Sequence, residues 1–177
     1  EGPGEDPYVG ECFAKAVVKG FQTDDFSAER SMLACAKHFV GYGASEGGRD
    51  YHHCEISPNS LKNYYLYPFR EAVKSGVMTV MTAFNEIGGI PVTADKHLVT
   101  DVLKKEFGFN GLVVSDYEAI KQHGVCEIHR LSFLKNISIS YVPGSGIKAY
   151  NPLKTVVYVV CPSLSVCSSS VWTFCDL

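Results

Sequence analysis

The sequence lacks the features that mark nucleic-acid-binding proteins and membrane proteins. Its 16 lysines and arginines are scattered and are outnumbered by 19 acidic residues, so no basic face is available to bind phosphates. No apolar run approaches the roughly 20 residues that span a bilayer. The start, EGPGEDP, has neither the charged nor the apolar part of a signal peptide. We therefore expect no nucleic-acid partner and no membrane partner, and the compartment stays open.

Cysteine pairs at metal-binding spacing are also missing. None of the seven cysteines belongs to a Cys-x-x-Cys pair, so neither a zinc ribbon nor a thioredoxin-type motif is indicated, and we expect no metal and no cofactor. The stretch after residue 125 is rich in Cys, Ser and Val and has a β-type run at 155–160 but no helical period. We separate 1–124 from this unassigned tail, 125–177. A shifted reading frame, an unspliced intron or a divergent end would each explain it.

Before residue 125, helical and strand-like segments alternate. With 46% hydrophobic residues, the chain is long enough to bury one ordinary core. The predicted helices span 8–20, 58–76 and 95–107, a further helix opens near Tyr117, and the predicted strands span 32–40, 77–84 and 112–114. Pro68 predicts a kink or break in the second helix. The helical spacing places on one face of the first helix Val9, Phe13, Ala16 and Val17.

The apolar strands predict a parallel sheet that is covered on both faces. Three strand-helix units fit part of a (β/α)8 barrel or part of an open doubly wound sheet. The strands end in polar pairs: Lys37-His38, Phe84-Asn85 and Ser115-Asp116. In a barrel such strand ends meet in one pocket, which slightly favours the barrel. No Gly-rich phosphate loop opens a helix, which argues against a dinucleotide site.

Asp116 has two interpretations, because it lies where a strand gives way to a helix. As an N-cap, its side chain accepts a bond from the second or third amide of the new helix. As a reactive group, it is a carboxylate that stays ionised at the floor of a pocket. In that case we expect a nearby cation such as Lys37 to lower the pKa of Asp116.

The Lys37-His38 pair also leaves alternatives open. On a regular strand the two side chains point to opposite sides, unless the strand twists or bulges there. One interpretation is a core salt bridge plus a hydrogen-bonded core histidine. The other is a set of donors to substrate hydroxyls. A Schiff base at Lys37 is a third hypothesis, which a neighbouring Asp116 opposes because it disfavours the neutral amine.

Histidines follow the Gly-rich loop. His52-His53-Cys54-Glu55 invites a metal hypothesis, but adjacent residues on an extended chain point apart, so an exposed loop is the expectation. Asp50 lies two residues before His52, and a carboxylate at this spacing can orient an imidazole as a general acid/base. An ordinary loop is the alternative.

Five phrases of the sequence form a pattern. They are GEDPYVG at Gly4, KHFVGYG at Lys37, GGRDY at Gly47, VMTAFNEIGGIP at Val80 and GFNGLVVSDYEAI at Gly108. In order and spacing they resemble the catalytic barrel of glycoside hydrolase family 3, particularly its β-glucosidase-like members. The resemblance runs from the first residue to about Gly124. It implies that 1–124 is part of an N-terminal (β/α)8 barrel of the TIM type, followed by an irregular tail.

The resemblance also implies roles for particular residues. Asp116 takes the place of the catalytic nucleophile, and Lys37 and His38 that of ligands of the sugar hydroxyls. Met81 and Phe84 line the same subsite, although phenylalanine replaces the commoner tyrosine and removes a hydroxyl. The implied reaction is retaining hydrolysis of a terminal non-reducing β-glycosidic bond, most simply a β-glucosidic one, in a β-linked oligosaccharide or glycoside.

The resemblance leaves the acid/base unassigned. In β-glucosidase-like members it is a glutamate of a following α/β sandwich domain, which a chain of this length does not contain. Another branch uses an Asp-x-His dyad, which Asp50 and His52 mimic, but GGRDY is a phrase of the glucosidase-like branch. We therefore expect a fragment that is inactive alone, from a family in which secreted and periplasmic members are known. The alternative is a non-catalytic sugar-binding or non-functional remnant.

Overall fold

A parallel sheet lies at the centre of the computed structural model, which describes residues 2–25, 29, 31–117 and 119 and the backbone of 158–160. The strands of this part of the chain are β1 Ala34–Phe39, β2 His53–Cys54, β3 Thr79–Thr82, β4 Glu86–Ile87, β5 Ile90–Pro91, β6 Leu112–Val114 and β7 Tyr158–Val160. The central sheet has the order β6-β3-β1-β7, and every neighbouring pair is parallel. A second sheet has the order β2-β4-β5.

The first helix, α1, spans Pro7–Gln22. It begins at Asp6, whose Oδ1 accepts a hydrogen bond from the Tyr8 amide at 2.8 Å. The predicted helix is confirmed, but the face that carries Val9 and Phe13 is not the buried one, since these residues are 43% and 39% exposed. The buried residues include Ala14 and Val18, which form a second apolar stripe. The small side chain of Ala14 allows close packing. Periodicity alone does not choose between two apolar stripes on one helix.

The second helical stretch has three contiguous parts, namely α2 Pro58–Ser60, a π-helical turn Leu61–Tyr65 and α3 Leu66–Lys74. Ser57 caps it, because its Oγ accepts a bond from the Ser60 amide at 3.1 Å. The break expected from Pro68 occurs in the preceding turn, as π-helix, while α3 runs through the proline. The third stretch, His97–Glu106, is also π-helical.

The two faces of the central sheet differ. Ala36, Val80 and Val113 lie in one register row, are at most 1% exposed and pack in the core with the helices. Side chains alternate across a strand, so the next row, with Met81 beside Val114, belongs to the other face. Both of these residues are only half-buried. This second face leads to the carboxyl ends of the strands.

The carboxyl end of β1 is irregular. The register between β1 and β3 shifts between Ala36 and Phe39, and the peptide bonds Lys37-His38 and Phe39-Val40 are cis. Beyond it, β2 pairs in parallel with β4, which forms a hairpin with β5. This small sheet joins the segment after β1 to the segment after β3.

Gln22 holds the amino ends of the strands. Its Oε1 accepts hydrogen bonds from the amides of Ala34, at 3.2 Å, and Met78, at 2.9 Å, and its Nε2 donates to the carbonyl of Gly76 at 2.8 Å. The side chain is 3% exposed. The start of β1 and the approach to β3 are thereby tied to the end of α1.

The predicted parallel α/β architecture is present as a partial fold. The strands predicted over 32–40, 77–84 and 112–114 correspond to β1, β3 and β6, and the β-type run at 155–160 contains β7. The helix predicted near Tyr117 and the remainder of the tail lie outside the described residues, and the domain boundary near 124 stays a prediction. None of the described helices has both the length and the apolar character needed to cross a membrane.

Candidate functional site

Asp116 lies two residues beyond β6, with its side chain 13% exposed. Oδ1 accepts a hydrogen bond from the Tyr117 amide at 2.7 Å, and Oδ2 lies 3.3 Å from Nε2 of His38. The amide bonded to Oδ1 is the first after Asp116, whereas an N-cap side chain bonds the second or third. The described geometry therefore departs from the simple cap and directs the second carboxylate oxygen towards β1.

Burial dominates the electrostatics of Asp116. It raises the pKa of the carboxyl to about 6, while the Tyr117 amide and the charge of Lys37 lower it and Asp50 raises it further. Lys37 lowers this pKa as expected, but desolvation outweighs its effect and the net shift is upward. With a pKa of about 6, most of the Asp116 population is still ionised at pH 7.

His38 is the neutral partner of this carboxylate. Burial and then the charge of Lys37 lower the pKa of His38 to about 3, so the imidazole carries no charge at neutral pH. Its Nε2 is close to Oδ2 of Asp116 but the pair lacks hydrogen-bond geometry, and Nδ1 is buried with no partner in the described structure. This contradicts the alternative of a hydrogen-bonded core histidine. Buried polar atoms without partners call for a structural or functional reason.

Lys37 and His38 both act on Asp116 although they are adjacent in β1. The charge of Lys37 affects the pKa of both His38 and Asp116, and Lys37 itself is half-buried. A regular strand would separate the two side chains, but the register shifts here. The structure thus contains the irregularity that the hydroxyl-ligand hypothesis required.

Phe84, beyond the end of β3, lies in an aromatic group that adjoins these residues. Its ring centroid is 4.2 Å from that of Tyr51 and 6.1 Å from that of Tyr42, and Tyr42 is 5.0 Å from the ring of His38. Met81 lies one row below on the half-buried face of the sheet. Our sequence reasoning missed Tyr42 and assigned no role to Tyr51, although both belong to phrases of the family pattern.

Asn85 is a second group with an unmet polar atom. It is 0% exposed, its Nδ2 donates to the carbonyl of Val40 at 3.2 Å, and its Oδ1 has no partner in the described structure. The bond links the segment after β3 to the end of β1. Asn85 therefore fixes the backbone beside His38.

The segment His52-His53-Cys54-Glu55 is not the exposed loop that we expected. His53 and Cys54 form β2, with Cys54 fully buried and its Sγ donating to the carbonyl of Gly41 at 3.3 Å. Nε2 of His53 lies 3.0 Å from Glu55 and Nδ1 lies 3.3 Å from Glu86. Among the described residues, no three His, Cys, Asp or Glu side chains are placed to hold a metal ion.

Asp50 and His52 do not form a described dyad. The carboxylate of Asp50 accepts a hydrogen bond from the Tyr42 hydroxyl, and Nδ1 of His52 is buried without a partner in the part of the chain that the structure describes. Asp50 nevertheless lies near enough to Asp116 to raise its pKa. The spacing alone did not reveal either contact.

Together these side chains combine a carboxylate with hydrogen-bonding groups. The carboxylate of Asp116 has one oxygen held by an amide and one without a hydrogen bond, beside a neutral imidazole and within reach of the charge of Lys37. Such a carboxylate can attack an electrophilic carbon, while the imidazole and ammonium groups bind hydroxyls.

Comparisons with known proteins identify relatives. The model of the glycosyl hydrolase family 3 N-terminal domain matches residues 1–140. The chain is 39% identical over 122 residues to the periplasmic beta-glucosidase of Salmonella typhimurium, covering 69% of this chain and 16% of that protein. It is 37% identical over 119 residues to a beta-xylosidase of Formosa agariphila, covering 66% and 16%. The chain thus spans about a sixth of the length of these curated relatives.

Solved structures agree. The crystal structure of the beta-glucosidase from Listeria innocua in complex with isofagomine matches with a TM-score of 0.66 and 40% identity, over 69% of this chain and 18% of that one. A mutant exo-1,3/1,4-beta-glucanase from a Pseudoalteromonas species matches with a TM-score of 0.63 and 41% identity, over 67% and 20%.

Proposed function

Because the chain belongs to glycosyl hydrolase family 3, we propose that it carries the nucleophile half of a retaining β-glycosidase site. The proposed reaction is hydrolysis of a terminal non-reducing β-glucosidic bond, with a β-xylosidic bond as the alternative. The names of the relatives support both: beta-glucosidases and beta-xylosidases are among them.

The contact between Asp116 and His38 carries this proposal. Asp116 follows β6 and His38 lies in β1, yet β3 separates these strands in the sheet. Neighbouring strands are about 4.8 Å apart, so the two side chains meet across roughly twice that spacing. Convergence of this kind at the carboxyl ends of parallel strands is what a curved sheet produces, and it supports a (β/α)8 barrel over an open sheet.

In the proposed chemistry, Oδ2 of Asp116 attacks the anomeric carbon. The glycosidic C–O bond breaks, the leaving oxygen takes a proton from an acid, and a glycosyl ester of Asp116 remains until water displaces it. Oδ2 is the suitable oxygen because Oδ1 is engaged by the Tyr117 amide. The carboxylate starts each cycle ionised at neutral pH.

Lys37 and His38 are the proposed ligands of the sugar hydroxyls. The unpartnered Nδ1 of the neutral imidazole supports this assignment, since a hydroxyl can donate to it or accept from it. Met81 and Phe84 form the proposed apolar wall. Phe84 makes no hydrogen bond there, because it has no hydroxyl.

We further propose that the acid/base is a glutamate of a sandwich domain beyond this chain. Hydrolysis of an ordinary glycoside requires a proton for the leaving group, so we expect the 177-residue chain alone to be inactive or nearly so. Turnover of a nitrophenyl β-glucoside by the purified chain, abolished by Asp116→Ala, would contradict this expectation.

A covalent label tests the nucleophile without an acid. A 2-deoxy-2-fluoro β-glucoside with a dinitrophenolate leaving group needs no protonation on departure, and the fluorine slows release of the ester. We expect mass spectrometry to find one fluoroglucosyl group on the peptide that contains Asp116, none in Asp116→Asn, and normal labelling in the surface control Asp101→Asn.

Other outcomes point to the rival functions. Reversible sugar binding without any label would favour the non-catalytic sugar-binding alternative, and neither label nor binding by the folded chain would favour a non-functional remnant. Reductive trapping of a carbonyl substrate at Lys37 by borohydride would instead support the Schiff-base hypothesis.

A further inference from the structure

Tyr51 connects three strand-end segments. It lies between β1 and β2, its ring is tilted against that of Phe84 with the centroids 4.2 Å apart, and its hydroxyl donates to the carbonyl oxygen of Tyr117 at 3.2 Å. Phe84 follows β3 and Tyr117 follows β6. One side chain therefore joins the segments that carry the proposed sugar subsite and the proposed nucleophile.

The hydroxyl of Tyr51 donates to Tyr117, the residue whose amide binds the side chain of Asp116. The amide of Tyr117 donates to Oδ1 of Asp116 at 2.7 Å, and the carbonyl of the same residue accepts from Tyr51. The backbone of Tyr117 is thus bonded on both sides. The peptide group that carries this amide is also held by the bond from the Ala119 amide to the carbonyl of Asp116 at 3.1 Å. Release of the Tyr117 carbonyl therefore removes one of two restraints on the amide and loosens its bond to the carboxylate.

The backbone of Tyr51 is in an uncommon conformation. Its φ is 61°, in the left-handed region that bulky residues rarely adopt. Such conformations persist where surrounding contacts hold them, and they concentrate at functional sites. The Phe84 ring and the Tyr117 carbonyl are two of the contacts that hold this one.

We infer that Tyr51 is a positioning residue for Asp116: its hydroxyl fixes the Tyr117 backbone, whose amide then holds Oδ1 and leaves Oδ2 directed towards His38. The importance of this arrangement for catalysis rests on the proposed function. The orientation of the Asp116 carboxylate by Tyr51 does not.

Tyr51→Phe tests the inference, because it keeps the ring on Phe84 and removes only the hydroxyl. Tyr64→Phe, which alters an exposed tyrosine of the π-helical turn, is the matched control. In the full 177-residue chain labelled with ¹³C and ¹⁵N, we expect the Tyr117 amide to exchange roughly two- to tenfold faster in Tyr51→Phe than in the control.

The titration of Asp116 gives a second readout. The Tyr117 amide lowers the pKa of Asp116, so loosening it shifts the carboxyl titration to higher pH. The other charged or titratable groups that act on Asp116 or lie against it are Lys37, His38, Cys35 and Asp50, and they are the same in both variants. A loss of general stability alone would not move this titration.

Equal Tyr117 exchange and equal Asp116 titration in the two variants would overturn the inference. So would faster exchange spread evenly over β1, β3 and β6, which indicates a merely structural role. Neither readout needs turnover or covalent labelling by the fluoroglucoside. Failure of the fluoroglucoside label with a shifted Asp116 titration would therefore reject the proposed chemistry while leaving the positioning role of Tyr51 in place.

Discussion

Glu11 and Glu71, between α1 and α3, and Asp116, beyond β6, are all carboxylates largely removed from water, but only the first two have close cations. Lys15 bonds to Glu11 and lies 3.9 Å from Glu71. Lys74 and Arg70 bond to Glu71 at 2.8 and 3.1 Å. The pKa of both glutamates is lowered: by hydrogen bonds from Lys15 and Tyr67 at Glu11, and at Glu71 by those from Lys74 and Arg70, which outweigh burial.

Asp116 shows the reverse balance. Its pKa is raised to about 6, its close neighbour His38 is neutral, and one of its oxygens lacks a hydrogen bond. The helix contact satisfies its acids and gains stability from their charge. The strand ends keep an acid that is costly to ionise, which agrees with the role proposed for Asp116.

The largest expected effect on stability comes from a steric clash at Gly111. A Cβ on Gly111 would overlap the carbonyl oxygen of Met78 and lie 2.8 Å from its carbonyl carbon. Gly111→Ala should therefore lower the free energy of unfolding by about 3 kcal/mol or more. On α1, a Cβ on Gly20 meets nothing within 4 Å, so Gly20→Ala should add roughly 0.5–1 kcal/mol. Urea unfolding of both variants checks the contrast; equal effects would break it.

Glu71→Gln tests the contact between α1 and α3, where the carboxylates have cations as partners. The amide cannot balance Lys74 and Arg70, and we expect the free energy of unfolding at pH 7 to fall by about 2 kcal/mol. Glu106→Gln, at an exposed helical position, is the control and should change it little. Because the folded pKa of Glu71 is lowered, its contribution is present above the unfolded pKa and is lost as the pH falls through the folded one.

Asp116→Asn should raise the free energy of unfolding, whereas Glu71→Gln lowers it. A folded pKa of about 6, above the unfolded value, means that the folded chain binds the proton more tightly, so the penalty on the native state grows as the pH rises from the unfolded pKa and is complete above about pH 6. We expect the variant to be more stable than the parent by about 1 kcal/mol at pH 8, with the gain vanishing near pH 4. Asp24→Asn, on the surface, is the control. A less stable Asp116→Asn at pH 8 would contradict the contrast between the regions.

The smallest effect is expected at the helix contact. Tyr67→Phe removes the hydroxyl that donates to Glu11 but keeps the ring under Arg70, whose guanidinium carbon lies 4.8 Å from the ring centroid. NMR titration should show the pKa of Glu11 rising, since that hydroxyl lowers it. The melting temperature should fall by only about 2–5 °C. An unchanged Glu11 titration would show that Lys15 alone sets this pKa.

The positions of β1, β3 and β6 were predictable because each of these strands is a short apolar run between turn signals, whereas the two-residue strands β2, β4 and β5 were not predicted. The family resemblance, carried by five phrases, is confirmed by the match over residues 1–140. The buried face of α1 was not predictable, because Val9 and Ala14 lie on competing apolar stripes and only the packing of α3 and β1 chooses between them. The π-helical turn before Pro68 likewise depends on how the chain accommodates a missing amide.

The candidate site was predictable as residue types but not as electrostatics. Sequence placed Asp116, Lys37 and His38 at strand ends, and the structure brings these three together. The pKa of Asp116 follows from its burial, which no local pattern encodes. The contacts of Tyr51 join segments that are 33 and 66 residues apart in sequence, so they emerge only from the fold.

Gln22 has a consequence for how such a protein can diverge. Three hydrogen bonds from one amide set the spacing of β1 and β3 at the ends remote from Asp116. Neither glutamate nor leucine offers both one donor and an oxygen that accepts two bonds, so substitution at Gln22 is constrained by the sheet itself. The segments at the opposite strand ends do not set this spacing, so they can change in sequence while the spacing of β1 and β3 is retained.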